Sequence, residues 1–241
     1  MGARPNRWLL GAGAVVAALA IGLVVRQVSA RRAAARAALR ARVPTADPVL
    51  HVPHIPGSIT LDGDTDDPGW TQAPGPARTG PFRLMNGREA RPFTSTRMLW
   101  GDGYLYLSLY AADEDIRTRT DQPDGPLWLD DSFRLVFARD GVEYAIEVSP
   151  KGVVTDAIRR GGGAFDYSWS SGVHASPELD GTINKSSDMD EEWVIEMAVP
   201  FESLGMKGES GERVDLSIKR CDTPKNSART CATWEGPLVL D

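Results

Sequence analysis

Alternation with a period of two dominates the chain from Tyr104 onward. Tyr104 to Tyr110 (YLYLSLY) places Leu105, Leu107 and Leu109 on one face and Tyr104, Tyr106, Ser108 and Tyr110 on the other, the pattern of a half-buried strand. Ser132 to Phe137 sets Phe133, Leu135 and Phe137 inward, and Val142 to Val148 repeats the pattern with Val142, Tyr144, Ile146 and Val148. The Ala138-Arg139-Asp140-Gly141 stretch between them predicts a hairpin turn. Further strands are predicted at Val153 to Ile158, Val173 to Leu179, Trp193 to Val199 and Val214 to Ile218. Helical turns are expected only at Pro200 to Leu204 and Pro68 to Ala73. Short strands separated by turn residues, with no long amphipathic helix, indicate a mostly β fold, an antiparallel two-sheet sandwich of jelly-roll or immunoglobulin-like dimensions.

The amino-terminal pattern is different. Trp8 to Val25 is an uncharged run of eighteen residues, which as a helix spans about 27 Å, the thickness of a hydrocarbon core. It reads as a transmembrane anchor or as a signal sequence cleaved after Val28-Ser29-Ala30. Residues 31–57 form an Ala/Arg segment followed by an extended linker with four prolines in its last fifteen positions. The division expected is therefore anchor or signal at 1–30, connecting segment at 31–57, and sandwich at 58–241.

Charge sharpens this division. The net charge of −6 hides eight arginines and no acid in residues 1–46, leaving 19 basic and 33 acidic groups in the other 195 residues. An acidic body without a basic stripe disfavours nucleic acid as a partner. Two arginines precede the apolar run and six follow it, which by the positive-inside rule favours a cytoplasmic carboxyl side. Cys221 and Cys231 argue the other way if they form a disulfide, which belongs to oxidising compartments; two free thiols are the alternative.

Catalytic motifs are missing: there is no Gly-x-Ser-x-Gly, HExxH or P-loop, and paired carboxylates such as Asp130-Asp131 are common in any acidic protein. An enzyme is not expected. Asp62, Asp64 and Asp66 have the 1-3-5 oxygen spacing of a Ca²⁺ loop, although position 12 is Ala73 rather than Glu; an Asx turn ahead of Trp70 is the alternative. Six tryptophans lie in the body, and flat aromatic faces suit the C–H faces of sugars as well as a core. Trp193 alternates in register with Ile195, Met197 and Val199 and is expected in the core, whereas Trp128 and Trp234 lie at strand ends where ligand loops gather.

Several ordered motifs resemble those of family 9 carbohydrate-binding modules. They are Ile59 to Gly63 with Asp66-Asp67-Pro68-Gly69-Trp70, Leu99 to Tyr106, Asp113-Glu114-Asp115-Ile116, Leu127-Trp128-Leu129-Asp130-Asp131-Ser132, and Glu192 to Phe201. The resemblance implies a β-sandwich that holds a saccharide between two tryptophans, often with structural calcium, and that is attached to extracellular proteins. Trp128 matches the first stacking residue, in a Trp-x-x-Asp-Ser pattern, and Trp234 is the candidate for the second. The pattern's Glu is here Arg134, and its Arg and Asn on the next strand are Ala145 and Glu147. Arg134 and Glu147 fall on outward positions of adjacent strands, where they can contact a diol or pair with each other. The expected site is Trp128, Trp234, Arg134 and Glu147, in an extracytoplasmic, membrane-tethered domain that takes a saccharide or cell-envelope glycan and supports carbohydrate catabolism. Two alternatives remain: a haem or electron-transfer sandwich using Met98, Met189, Met197 or Lys219, and an interaction module that has lost its sugar and buries Trp128.

Overall fold

A computed structural model of the protein describes residues 49–72, 75–224 and 226–241. The expected anchor or signal sequence and the Ala/Arg segment lie outside the described residues, among which no helix is long and apolar enough to cross a membrane.

Twelve strands follow in order: β1 (Leu50–Val52), β2 (Ala77–Arg78), β3 (Arg83–Leu84), β4 (Thr94–Gly101), β5 (Tyr104–Ala112), β6 (Ser132–Arg139), β7 (Val142–Val148), β8 (Val154–Arg160), β9 (His174–Asp180), β10 (Glu192–Pro200), β11 (Arg213–Asp222) and β12 (Thr230–Leu240). One sheet runs β1-β12-β11-β6-β7-β8 with β3 against β12; the other runs β2-β4-β5-β10-β9. The sandwich is therefore mixed rather than purely antiparallel, because β1 pairs parallel with β12. That strand falls within the stretch expected as linker. Val52 is fully buried, so residues 50–57 belong to the folded unit.

The alternation in sequence becomes the core. Leu105, Leu107 and Leu109 of β5 face Phe133, Leu135 and Phe137 of β6, together with Ile146, Trp193, Ile195, Met197, Leu216 and Ile218. Each such side chain, fully buried, contributes about 1.5–3 kcal/mol of transfer free energy. The β6–β7 hairpin turns on Asp140 and Gly141, both at positive φ, as a two-residue loop whose twist matches the strands. The two expected helical turns are a four-residue helix at Pro68–Thr71 and a 3₁₀ turn at Phe201–Leu204.

The outer face of the smaller sheet is sealed. Ile55, Ile59 and Trp70 pack on Leu99, Tyr106 and Ala198, and the seal closes on a buried carboxylate. Glu196 accepts hydrogen bonds from Trp70 Nε1 (2.7 Å), Gly63 N (2.9 Å) and Asp62 N (3.1 Å). Burial pushes its pKa up, against the pull of these donors. Gly63 is required there: its φ is +96°, and a Cβ would lie 2.8 Å from the Pro177 backbone. Glu196→Gln keeps the size but presents an amide N–H₂ to at least one of these donors. The expected result is a loss of about 1–3 kcal/mol in urea unfolding, with the strand content unchanged by circular dichroism.

Candidate functional site

Trp128 sits in a 3₁₀ turn, Leu127–Leu129, immediately before β6. Leu127 anchors the turn in the interior, while Trp128 is 57% exposed and Leu129 equally so. The following residues fix this platform. Asp130 is buried and accepts from Arg119 N (2.9 Å), Thr120 N (2.9 Å) and Thr118 Oγ (3.1 Å), and its carbonyl accepts from Arg229 Nη2 at 2.7 Å. An indole on a turn held at this many points is presented without further ordering.

Arg134 and Glu147 are brought together as their sequence positions suggest. They are direct partners in the β6–β7 register on the outer face of the larger sheet. Arg134 Nη1 lies 3.3 Å from Glu147 Oε2, and Ser132 Oγ donates to Glu147 Oε1 at 2.9 Å. Glu147 is almost fully buried by these neighbours, whereas Arg134 keeps partial exposure. Phe165, from the β8–β9 connection, completes the face: the Arg134 guanidinium stands 5.2 Å and that of Arg159 4.6 Å from its ring centroid. Sequence reasoning missed Phe165, reading the triple glycine before it as a flexible loop. The available signal was the alternation of Phe165, Tyr167 and Trp169 just beyond.

The expected partner tryptophan is elsewhere. Trp234 is 2% exposed and belongs to the core. It pairs with Ile218 and shares the inward face of β12 with Ala232, Leu238 and Leu240, so its ring lies on the opposite side of the sheet from Arg134. The chain continues in strand through Glu235, Gly236 and Pro237 and raises no loop that could lift an indole outward. The haem candidates are dispersed as well: Met98 and Met197 are fully buried in the core and Met189 is exposed. Lys219 lies beside Arg134 on the outer face of the larger sheet.

The acidic loop expected to bind calcium is committed to other contacts. Asp62 Oδ1 accepts from Asp64 N, Asp67 Oδ2 accepts from Thr60 N, and the Asp62 and Gly63 N–H groups serve Glu196. Asp62, Asp64 and Asp66 do not converge into a metal-sized group; among the described residues, Asp113, Asp131 and Asp222 do, with carboxylate oxygens within 4.8 Å of one another. All three are buried. Arg220 reaches Asp113 Oδ2 at 3.0 Å and Asp222 Oδ2 at 3.2 Å, and Trp193 Nε1 donates to Asp113 at 3.0 Å. Beyond its ion pair with Arg220, the Asp222 carboxylate accepts no hydrogen bond among the described residues. Thr223 N and Arg117 N donate to Asp131 at 2.7 and 2.6 Å. With every carboxylate ionised, three negative charges face one guanidinium, and burial makes the excess costly. The Asp131 pKa is accordingly pushed up to about 8 by burial and then by the Asp113 charge. That of Asp222 rises to about 6 by burial, partly offset by Arg220. The oxygen-only donor set and the uncompensated charge fit a hard divalent cation. Alongside, Cys221 and Cys231 face each other across β11 and β12 and are joined by a disulfide.

Residues 61–237 match the family described as carbohydrate family 9 binding domain-like. No curated protein sequence matches the chain significantly. Among solved structures, the chain resembles a putative carbohydrate-binding protein from Bacteroides uniformis at 14% identity and TM-score 0.64, over 81% of this chain and 100% of that one. It also resembles a family 9 carbohydrate-binding module from Caldicellulosiruptor kristjanssonii. That module's complex with cellotriose aligns at 12% identity and TM-score 0.54, over 80% and 94% of the two chains. Its complex with glucose aligns at 16% and 0.51, over 79% and 95%.

The acidic centre makes stability depend on pH in chelator. Because the folded pKa values of Asp131 and Asp222 lie above the unfolded value of 3.8, the native state holds protons that the unfolded chain releases. Stability from these groups is full below about pH 4 and declines as pH rises toward 8. The thermal midpoint in EDTA is expected to fall from pH 5 to pH 9, and Asp131→Asn to flatten the profile. A wild-type midpoint constant over that range would contradict it.

Proposed function

Since the chain belongs to the carbohydrate family 9 binding domain-like family, we propose that it is a non-catalytic saccharide-binding domain whose platform is Trp128. The observation that carries this reading is the 57% exposure of an indole on a turn fixed by the buried Asp130. A large aromatic surface is normally withdrawn from water, and one held outward on a rigid turn suits the C–H face of a pyranose. An interaction module that had lost its sugar would have Trp128 buried. Arg134, on the strand β6 that follows the Trp128 turn, keeps free guanidinium N–H groups to donate to ring hydroxyls, and Glu147 orients it. Cellotriose and glucose, held by the similar modules, are the first ligands to try.

The second part of this proposal is that Asp113, Asp131 and Asp222 hold a divalent cation, with Ca²⁺ suiting the oxygen donors. The ion would supply structural charge compensation beneath the turn that carries Trp128. The third is that the arginine-flanked apolar segment tethers the domain at the cell envelope, outside the cytoplasm, where it serves carbohydrate catabolism. The Cys221–Cys231 disulfide supports that compartment, against the arginine flank.

Titration calorimetry with cello-oligosaccharides and peptidoglycan fragments tests the platform. Wild type is expected to bind a member of the panel, and Trp128→Ala to lose at least about tenfold in affinity, or about 1.4 kcal/mol. No binding by wild type, or equal binding by the variant, would overturn it. For the cation, millimolar Ca²⁺ is expected to raise the wild-type melting midpoint at pH 8 and leave Asp131→Asn unmoved. An equal response in both proteins would exclude this centre.

A further inference from the structure

A groove of about 580 Å³ lies at the other end of the sandwich from Trp128, bounded by Tyr104, Trp169, Ser170, His174, Glu202 and Ser203. The two ends are well separated. Pro200 faces Tyr104 at one end of the β5–β10 ladder and Glu192 faces Ala112 at the other, and the nine residues of β5 set these ends about 27 Å apart. Asp113 follows Ala112 and joins Arg220, next to the Cys221–Ser132 pair at the head of β6. A ligand on Trp128 therefore leaves this groove free.

We propose that this groove is a second saccharide subsite, selective for neutral sugars, with Trp169 as its platform. Three observations support it. The aromatic wall is fixed before any ligand arrives: the Trp169 ring packs 5.7 Å from that of Tyr144 at 52°. Its loop is also pinned where Ser171 N and Oγ donate to the buried Asp156 at 2.7 and 2.5 Å. The polar groups around the ring are unused, since the side chains of Tyr104, Ser170, His174 and Glu202 have no hydrogen bond or ion pair among the described residues. A carboxylate acceptor, hydroxyls and an imidazole thus line the same groove as an indole, the combination that reads the hydroxyls and the C–H face of a pyranose together. Charge selects the class of sugar. Glu202 is the one carboxylate in the lining, which holds no Lys or Arg to oppose it, so phosphorylated and uronic ligands are repelled. The volume falls within the range of about 300–1,000 Å³ typical of small-ligand sites.

The inference rests on the reading of the chain as a carbohydrate-binding domain, but its test separates the two. Tryptophan indole N–H signals are followed by ¹⁵N NMR while cellotriose, and in parallel glucuronic acid, is added to wild type, Trp128→Ala, Trp169→Ala and Glu202→Ala. The Trp169 signal is expected to shift with cellotriose in both wild type and Trp128→Ala, and to respond at least tenfold more weakly to glucuronic acid. Glu202→Ala, a change at an exposed position that leaves the core intact, is expected to weaken the Trp169 response and leave that of Trp128 unchanged. Movement of Trp128 with a silent Trp169 overturns the second subsite and leaves the first standing. Movement of Trp169 with a silent Trp128 overturns the first alone, and silence of both overturns both.

Discussion

Arg220 is a buried guanidinium shared between Asp113 and Asp222, and the end of the sandwich that carries Trp128 is organised around it. Arg220 is on β11 of the larger sheet, and Asp113 follows β5 of the smaller one. Its contact to Asp113 therefore ties the sheets together at the end that carries Trp128. A buried ion pair adds little net stability when complete, but losing one partner costs several kcal/mol because the other is left uncompensated in a poor solvent. The pair is accordingly a constraint on geometry more than a source of energy. Asp131 extends it to the head of β6, and the Arg117 and Thr223 N–H groups that reach its carboxylate bring two connecting segments to the same point.

The turn bearing Trp128 inherits its rigidity from this centre, since Asp130 and Asp131 are adjacent and both point inward. Burial of two consecutive carboxylates is possible because each finds separate donors. The exposed indole and the buried acids are thus two consequences of one local arrangement. Charge compensation by a cation would act on sugar binding through that turn, without touching the ligand.

The two outer faces of the sandwich are treated differently. Residues 55–70 cover the smaller sheet, with Glu196 as the polar peg that holds them. The larger sheet keeps its outer face for Arg134, Glu147 and Lys219, with the ring of Phe165 against Arg134. This asymmetry explains which strands were legible. In β6, with one buried and one wetter face, the alternation is visible, and β5 keeps the period although its outer face is covered because Tyr106 and Ser108 stand there. In β4, Met98, Leu99, Trp100 and Gly101 are all buried because both faces of its sheet are covered, so no period appears and the strand escapes sequence reading. The strands β1, β2 and β3, two or three residues each, are too short for any pattern, and β12 is interrupted by Gly236 and Pro237.

Local physics was enough for the sandwich class, the Asp140-Gly141 turn and the Arg134–Glu147 pair, because a hairpin makes cross-strand neighbours out of residues close in sequence. It was enough, too, to single out Trp128 at a strand end as an indole apart from the core, and the structure leaves it 57% exposed. Only the tertiary structure decided that Trp234 points into the core, that Phe165 rather than a second indole covers Arg134, and that the converging carboxylates are Asp113, Asp131 and Asp222 instead of Asp62, Asp64 and Asp66. Each of those outcomes depends on which face of a strand meets the opposite sheet, or on contacts between segments tens of residues apart, and neither spacing nor composition encodes the side from which a distant chain will arrive.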